Sequence, residues 1–449
     1  FFSFLQPDPN TSEAYRSSDQ KVYYSSAIEG VKLNTFAGDD RIIIDGSVTS
    51  LHVEAGSGNN QFIVGQRLSS DSTKVNSFSS GAEYNTTLTG GSGTDEFIVH
   101  SNPGILTIQG QEGNDVLTVM SYASKVHHSV SQESLYRSNA EVNFDGGLGS
   151  DRVRVIGSES ADAFVVAGEF IAGAGRLVRF SDAESIDLDS QEGDDAIFTL
   201  STALGKTYGI SGGFGSDSIA IAGDPVATIR TGSSSSPSLL STHKASDKTV
   251  FAGTLKLSGN SSNWTAAQLP TTFELPTEPA INLPLANGAE SPTHADRLTV
   301  YDDLVTHNQT LMVEAAQLKL GTAQFDYEGF EGLEILLGEG NDAISVESTQ
   351  QPVNNAGRAL TVIHGGGGND NFTIKRKIKS AADQRSGLLI YGDTSSDGLS
   401  YTRSGSISAS AHAFTNFGND TLDASESDLA VAFFGGRGND SARAGSGGS

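Results

Sequence analysis

The chain is predicted to be all-β, folding as a right-handed parallel β-helix, or β-solenoid, with coils of about twenty residues and Gly-Asn-Asp turns stacked along one edge. Three observations predict it. One short motif returns through most of the 449 residues, its flanks alternate apolar and polar residues, and its acidic centre recurs at a fixed spacing.

The motif is read in SLHVEAGSGNNQFIV (50 to 64), TTLTGGSGTDEFIV (86 to 99), ILTIQGQEGNDVLTV (105 to 119) and AEVNFDGGLGSDRVRV (140 to 155). Further copies are YGISGGFGSDSIAI (208 to 221), LEILLGEGNDAISV (333 to 346), LTVIHGGGGNDNFTI (360 to 374) and LAVAFFGGRGNDSARA (429 to 444). The consensus is apolar-x-apolar, G-x-G-[NS]-D, then x-apolar-x-apolar. Alternation on both sides is the period of strands with one buried face. The glycines supply the positive φ that a tight turn needs.

Asp40 and Asn60, Asp95 and Asp115, and Asp420 and Asp440 are each 20 residues apart, and Asp195 and Asp217 are 22 apart. One coil thus takes about twenty residues, and each coil stacks on the last at roughly 4.8 Å. About twenty such coils would make a rod on the order of 100 Å long. At Asn60 the acid is missing, so a weaker rung is expected there. Larger gaps, such as Asp115 to Asp151, hold coils with weaker turns or loops.

A longer period lies over the first. Glu29, Glu184 and Glu331 each precede a turn acid, Asp40, Asp195 or Asp342, by eleven residues, and DRVRV (151 to 155) matches DRLTV (296 to 300) upstream. The superrepeat is roughly 150 residues. Both ends cut through a repeat, so the chain is expected to continue into further repeats or to self-associate end to end. The stretch 225 to 295 departs from the pattern. It holds seven of the eleven Pro and the run Ser233 to Ser236, and Pro cannot donate to a ladder. It is read as an insertion or loop, with a short pair of strands in TVFAGTLKLSG (249 to 259), between solenoid repeats at 1–224 and 296–449.

Composition narrows the function classes. Asp and Glu number 54 against 28 Lys and Arg, a net charge of −26, which repels nucleic acid and anionic membrane and attracts cations. The absence of Cys removes disulfides, zinc thiolate sites and thiol nucleophiles, and no apolar run approaches the roughly 18 residues of a membrane span. Acids stacked on adjacent coils, such as Asp95 and Asp115, are like charges placed opposite one another, which destabilises a sheet unless a cation lies between them. A turn role without metal remains the other reading, since Asp caps local amides and Asn tolerates positive φ. Glu29, Glu184 and Glu331 are read as structural, bonding turn amides or a neighbouring coil.

The segments at 90 to 98, 146 to 154, 212 to 220 and 365 to 373 fit G-G-x-G-x-D-x-U-x, and 435 to 443 and 110 to 118 nearly do. They resemble the hemolysin-type, or RTX, calcium-binding repeat. The longer pattern D-x-L-x-V, Y-x-G-x-E-x-L-x-[IL], G-x-G-N-D resembles giant extracellular repeat proteins of microbial and algal surfaces. The resemblance implies Ca²⁺ between successive turns, held by carboxylates and Gly-loop carbonyls, with Asp40, Asp95, Asp115, Asp151, Asp195, Asp217, Asp342, Asp370, Asp420 and Asp440 as the ligating acids. Family repeats run every nine residues, whereas here the motif returns once per coil, so ions are expected mainly along one edge.

The function expected is structural or adhesive: part of an extracellular stalk, sheath or filament, such as a flagellar hair, with extracellular glycans or surface proteins as partners. The alternative is a calcium-dependent polysaccharide lyase or epimerase. No P-loop or dinucleotide fingerprint follows a strand, and Lys375, Arg376 and Lys377 alternate faces instead of forming a basic cluster. The nine His, including His127 and His128, show no metal-binding spacing. Sequons begin at Asn10, Asn85, Asn260, Asn263, Asn308, Asn371, Asn419 and Asn439, with Asn260 and Asn263 the preferred glycan acceptors.

Overall fold

The computed structural model describes residues 28–67, 77–121, 139–158, 160–222, 254–258, 296–350, 359–375, 386–394 and 414–446. It also describes the short strands Phe2–Phe4, Gln20–Val22, Arg230–Thr231, Ser238–Leu239, Thr272–Phe273 and Ile281–Asn282. His127, His128, the run Ser233 to Ser236, Arg376, Lys377 and the sequons at Asn10, Asn260 and Asn263 lie outside the described residues. Among the described residues every regular element is a strand, and none is a helix. The chain divides into two compact units: Phe1–Gln191, Lys206–Tyr208 and Thr228–Ser241 form one, and Glu192–Gly205, Gly209–Ala227 and Thr242–Ser449 the other.

In the first unit the repeats make two files of parallel strands, an all-β, solenoid-like arrangement. One file runs Gly30–Asn34, Ser50–Ser57, Thr86–Ser92, Leu106–Gly113, Val142–Gly149 and Arg176–Ser181. The other runs Arg41–Ile44, Gln61–Val64, Glu96–Val99, Val116–Met120, Arg152–Ile156 and Ser185–Asp189. Alternation sorts the faces. Phe62, Phe97, Leu117, Val153 and Ile186 share one register and are all buried. The Phe62 and Phe97 rings stack at 4.7 Å, and each such side chain contributes about 1.5–3 kcal/mol of burial.

The second unit repeats the plan. One file runs Ala196–Thr199, Ser218–Ile221, Arg297–Tyr301, Gly332–Leu336, Ala359–His364, Ser386–Tyr391 and Val431–Phe434. Opposite it lie Thr310–Val313, Ala343–Val346, Asn371–Ile374, Thr421–Asp423 and Ser441–Arg443. Thr254–Ser258, the described part of the segment expected to make a short strand pair, pairs in parallel with Ala323–Glu328.

Each unit also holds an antiparallel three-strand meander that the sequence motif does not mark. These are Ala163–Ala167, Phe170–Gly173 and Arg176–Ser181 in the first, and Thr310–Val313, Gln317–Leu320 and Ala323–Glu328 in the second. They occupy matching places in a superrepeat of roughly 150 residues, just ahead of Glu184 and Glu331.

The turns are strained where glycine is replaced. The second turn position has positive φ at Gly56 (98°), Gly91 (122°) and Gly147 (94°), and also at Gln111 (80°) and Gln191 (77°). A side chain in this region costs about 1–2 kcal/mol. Gln111→Gly is therefore expected to raise stability by about 1 kcal/mol, after the entropy that glycine returns to the unfolded chain. A denaturant melt of the variant showing no gain would mean that Gln111 makes up the strain elsewhere.

Candidate functional site

The two-residue alternation that sends Phe97 and Val99 inward also sends Asp95 inward, because it lies two positions earlier on the same face. The turn acid is thus an interior side chain: Asp95, Asp115 and Asp420 are fully buried. Each carboxylate accepts a hydrogen bond from the backbone N–H of the preceding rung. In the first unit Asp95 donates to Asp115 Oδ1 (2.8 Å), Asp115 to Asp151 (2.7 Å), and Asp151 to Glu184 Oε2 (2.7 Å). Glu184 thus ends a run by bonding a turn amide of a neighbouring coil, the structural role expected of it.

Asn60 does not interrupt the ladder. Its Oδ1 accepts from the Asp40 N–H at 3.0 Å, and both its backbone N–H and its Nδ2 donate to Asp95 Oδ1, at 2.8 and 2.9 Å. An amide supplies the acceptor that the rung needs and adds a donor, so the expected weak point is a doubly bonded one.

The second unit holds two runs. In one, Asp195 donates to Asp217 (3.0 Å), Asp217 to Asp296 (2.9 Å) and Asp296 to Glu331 (3.0 Å). In the other, Gln309 donates to Asp342 (2.7 Å), Asp342 to Asp370 (2.8 Å), Asp370 to Asp420 (2.8 Å) and Asp420 to Asp440 (2.9 Å). The first run leads into Ala196–Thr199, Ser218–Ile221, Arg297–Tyr301 and Gly332–Leu336, and the second into the opposite file at Ala343–Val346, Asn371–Ile374, Thr421–Asp423 and Ser441–Arg443. The acids of this unit therefore line both edges, not one as the sequence led us to expect. The physical cause is the half-coil offset: one strand and one turn separate Glu331 from Asp342, which places them at opposite ends of the intervening strand. Asp296 is a rung that the motif search missed, although its match to Asp151 in DRLTV and DRVRV marked it.

A second ladder of opposite polarity lies just outside the first. Here the later coil donates to the earlier: Asn369 N–H to Asn341 Oδ1, Asn419 to Asn369 and Asn439 to Asn419, each at 2.7 Å. In the first unit Asn59 donates to Asp39 (2.7 Å) and Thr94 to Asn59 (2.8 Å). The Asn-Asp pair in each turn thus binds one neighbour forward and the other backward. The sequon residues Asn419 and Asn439 belong to this exposed ladder.

The inner carboxylates are only half satisfied. The second oxygens of Asp95, Asp115, Asp151, Asp217, Asp296, Asp370 and Asp420, and Oε1 of Glu331, are buried without a hydrogen-bond partner. They sit where glycine leaves room. A Cβ built on Gly110 would lie 2.2 Å from Asp115 Oδ2 and 2.5 Å from the Gly146 carbonyl oxygen, and one on Gly365 would lie 2.4 Å from Asp370 Oδ2 and 2.2 Å from the Gly392 oxygen. Carboxylate and carbonyl oxygens from two coils therefore converge on one small space. Burial pushes the carboxyls up, Asp115 to about 6, Asp217, Asp342 and Asp420 to about 7, and Asp296 and Asp370 to about 9. The amide donated to each pulls the other way.

Such orphaned oxygens fit a hard divalent cation, which takes 6–8 oxygen ligands. Among the described residues no three His, Cys, Asp or Glu side chains are grouped to hold a metal. One or two carboxylates would therefore share an ion with Gly-loop carbonyls and water. Asp40 and Asp440 are only half buried.

One titratable group was not anticipated from the sequence. Arg297 and His364 both bond Glu334, the latter at 3.2 Å, His364 lies 2.6 Å from the Thr394 carbonyl oxygen, and its ring stacks on Tyr391 at 4.8 Å. Glu334 and His364 are fully buried. Gly209 to Gly213 has the G-x-S-x-G spacing of a nucleophile elbow, but Ser211 ends the strand Thr207–Ser211 and leads into the Asp217 turn instead of a helix. No protein-family model matches the chain, and no curated protein matches it.

Proposed function

We propose that the chain is a calcium-stabilised, right-handed β-solenoid of about twenty-residue coils, with a structural or adhesive role in an extracellular, cell-surface fibre, stalk, sheath or filament. One observation carries this reading: repeated buried carboxylates each leave one oxygen unbonded beside a glycine and a carbonyl of the next coil. A buried unpaired charge is costly, and a divalent cation offsets that cost at every rung. Sites with few carboxylates are weak, which suits extracellular calcium and affinities of about 10⁻⁴ to 10⁻³ M. A net charge of −26 attracts such cations. Acting as ligands, Asp95, Asp115, Asp151, Asp217, Asp370 and Asp420 would contribute one oxygen each, and the Gly-loop carbonyls the rest. The cation then acts as a bolt between coils, making the stiffness of the fibre depend on calcium.

Chelation tests it. Ligand that binds only the folded state stabilises it by RT ln(1+[L]/Kd) per site. The melting temperature of the full chain in millimolar calcium is expected to fall by about 10 °C or more when EGTA is added in excess. Coincident melting curves would reject the cation reading.

A further inference from the structure

We infer that Asp393, together with Asp420 and the Gly435 carbonyl, builds a cation site tighter than the rungs that offer a single carboxylate. This deepens the calcium reading and rests on it.

The turn that ends at Asp420 differs from its neighbours. It includes Gly392 and Asp393, and an acid stands at the turn position that Gly366 and Gly436 fill in the adjacent coils. Asp393 is fully buried. Its Oδ2 accepts from the Arg437 N–H at 2.5 Å, and a Cβ built on Gly436 would lie 2.2 Å from that oxygen. One carboxylate oxygen thus caps an amide of the next coil. The other, Oδ1, is buried with no partner.

Beside it is the ordinary rung. Asp420 Oδ2, also buried and unbonded, lies 2.2 Å from where a Cβ of Gly392 would stand, and the Gly435 carbonyl oxygen lies 2.4 Å from the same point. Gly392 and Asp393 are sequence neighbours, and Asp393 stands against Gly436, next to Gly435, so a second buried carboxylate with an unbonded oxygen lies in the edge beside Asp420 and the Gly435 carbonyl. Elsewhere, as at Gly110, the corresponding space receives one carboxylate and one carbonyl. Asp393 adds to the burial that raises Asp370 and Asp420; its own carboxyl is raised by burial and by Asp440, while the Arg437 and Gly418 amides and the Arg437 charge pull it the other way. Calcium sites gain affinity with the number of charged ligands and with rigidity. Asp393 brings both, since its capping bond fixes the carboxylate.

Capping alone is the competing role. Asp393→Asn separates the two, because the amide oxygen still accepts from Arg437 while the charge and the free carboxylate oxygen are lost. Calcium titration of the metal-stripped full chain by calorimetry is expected to show a tight step of about one ion ahead of weaker ones. In Asp393→Asn that step should weaken at least about tenfold, a loss of about 1.4 kcal/mol, with the weaker steps and the strand circular dichroism retained. An isotherm superimposable on that of the parent chain would overturn the inference and leave the calcium reading standing. No calcium uptake by either protein would overturn both. Should Asp393→Asn fail to fold, terbium luminescence on the parent chain decides: a single class of equivalent ions refutes a distinct tight site, and one ion released last by EGTA supports it.

Discussion

Metal-stripped protein is expected to lose stability as pH rises from about 5 to 9, and calcium is expected to reverse that slope. The carboxyls of Asp217, Asp342 and Asp420 are raised to about 7, and those of Asp296 and Asp370 to about 9, from an ordinary aspartate value of 3.8, chiefly by burial. A carboxyl raised on folding binds its proton more tightly in the folded state. Its contribution is therefore complete below about 3.8 and is lost as pH climbs through the folded value. Several rungs acting together would cost on the order of several kcal/mol by pH 9. Calcium binds the ionised form and releases protons on binding, so its stabilisation should grow over the same range. Melting temperatures measured across this range, in metal-free buffer and in excess calcium, would show two diverging curves. Metal-free stability that is flat or rises with pH would mean the rungs are not the buried acids described. Repeating the series in high salt separates rungs from surface repulsion, because exposed charges are screened far more than buried ones.

The motif revealed the strands, the turns and the rungs, because alternation and the Gly-x-Gly-Asn-Asp centre are local signals. Register partners such as Arg41 and Gln61, or Thr421 and Ser441, follow from the twenty-residue spacing alone. What escaped is non-local. The meanders at Ala163–Ser181 and Thr310–Glu328 have the same apolar alternation as coil strands, so nothing in them announces antiparallel pairing. The change of edge was encoded, however, in the eleven residues between Glu331 and Asp342, about half a coil. Asn60 misled because the rung was equated with its charge. The bond made is N–H to side-chain oxygen, and an amide makes it as well as an acid. Asp393 was invisible for another reason: a long stretch of sequence separates it from the turn acid Asp420.

Gly110→Ala is expected to be among the most damaging single substitutions in the first unit. A methyl there would lie 2.2 Å from Asp115 Oδ2 and 2.5 Å from the Gly146 carbonyl oxygen. Both distances are far inside van der Waals contact, and one of the obstacles is backbone. The Asp115 carboxylate cannot swing aside without dropping the Asp95 N–H that it accepts at 2.8 Å. Overpacking costs about 1–3 kcal/mol, and a buried amide left without an acceptor adds about 1–3 kcal/mol. Gly30→Ala is the control, because its methyl meets the Ser50 hydroxyl at 3.1 Å and the Ser50 carbonyl oxygen at an ordinary 3.7 Å, on an exposed strand end. It should change stability by no more than about 0.5 kcal/mol. Adding Asp115→Ala to Gly110→Ala completes the test. Removing the carboxylate relieves the closer clash, so the double variant should be less damaged than the sum of the singles, a coupling of about 1–3 kcal/mol. Strict additivity in denaturant melts would show that the carboxylate does not sit against Gly110, and the cradle proposed for the cation would fall with it.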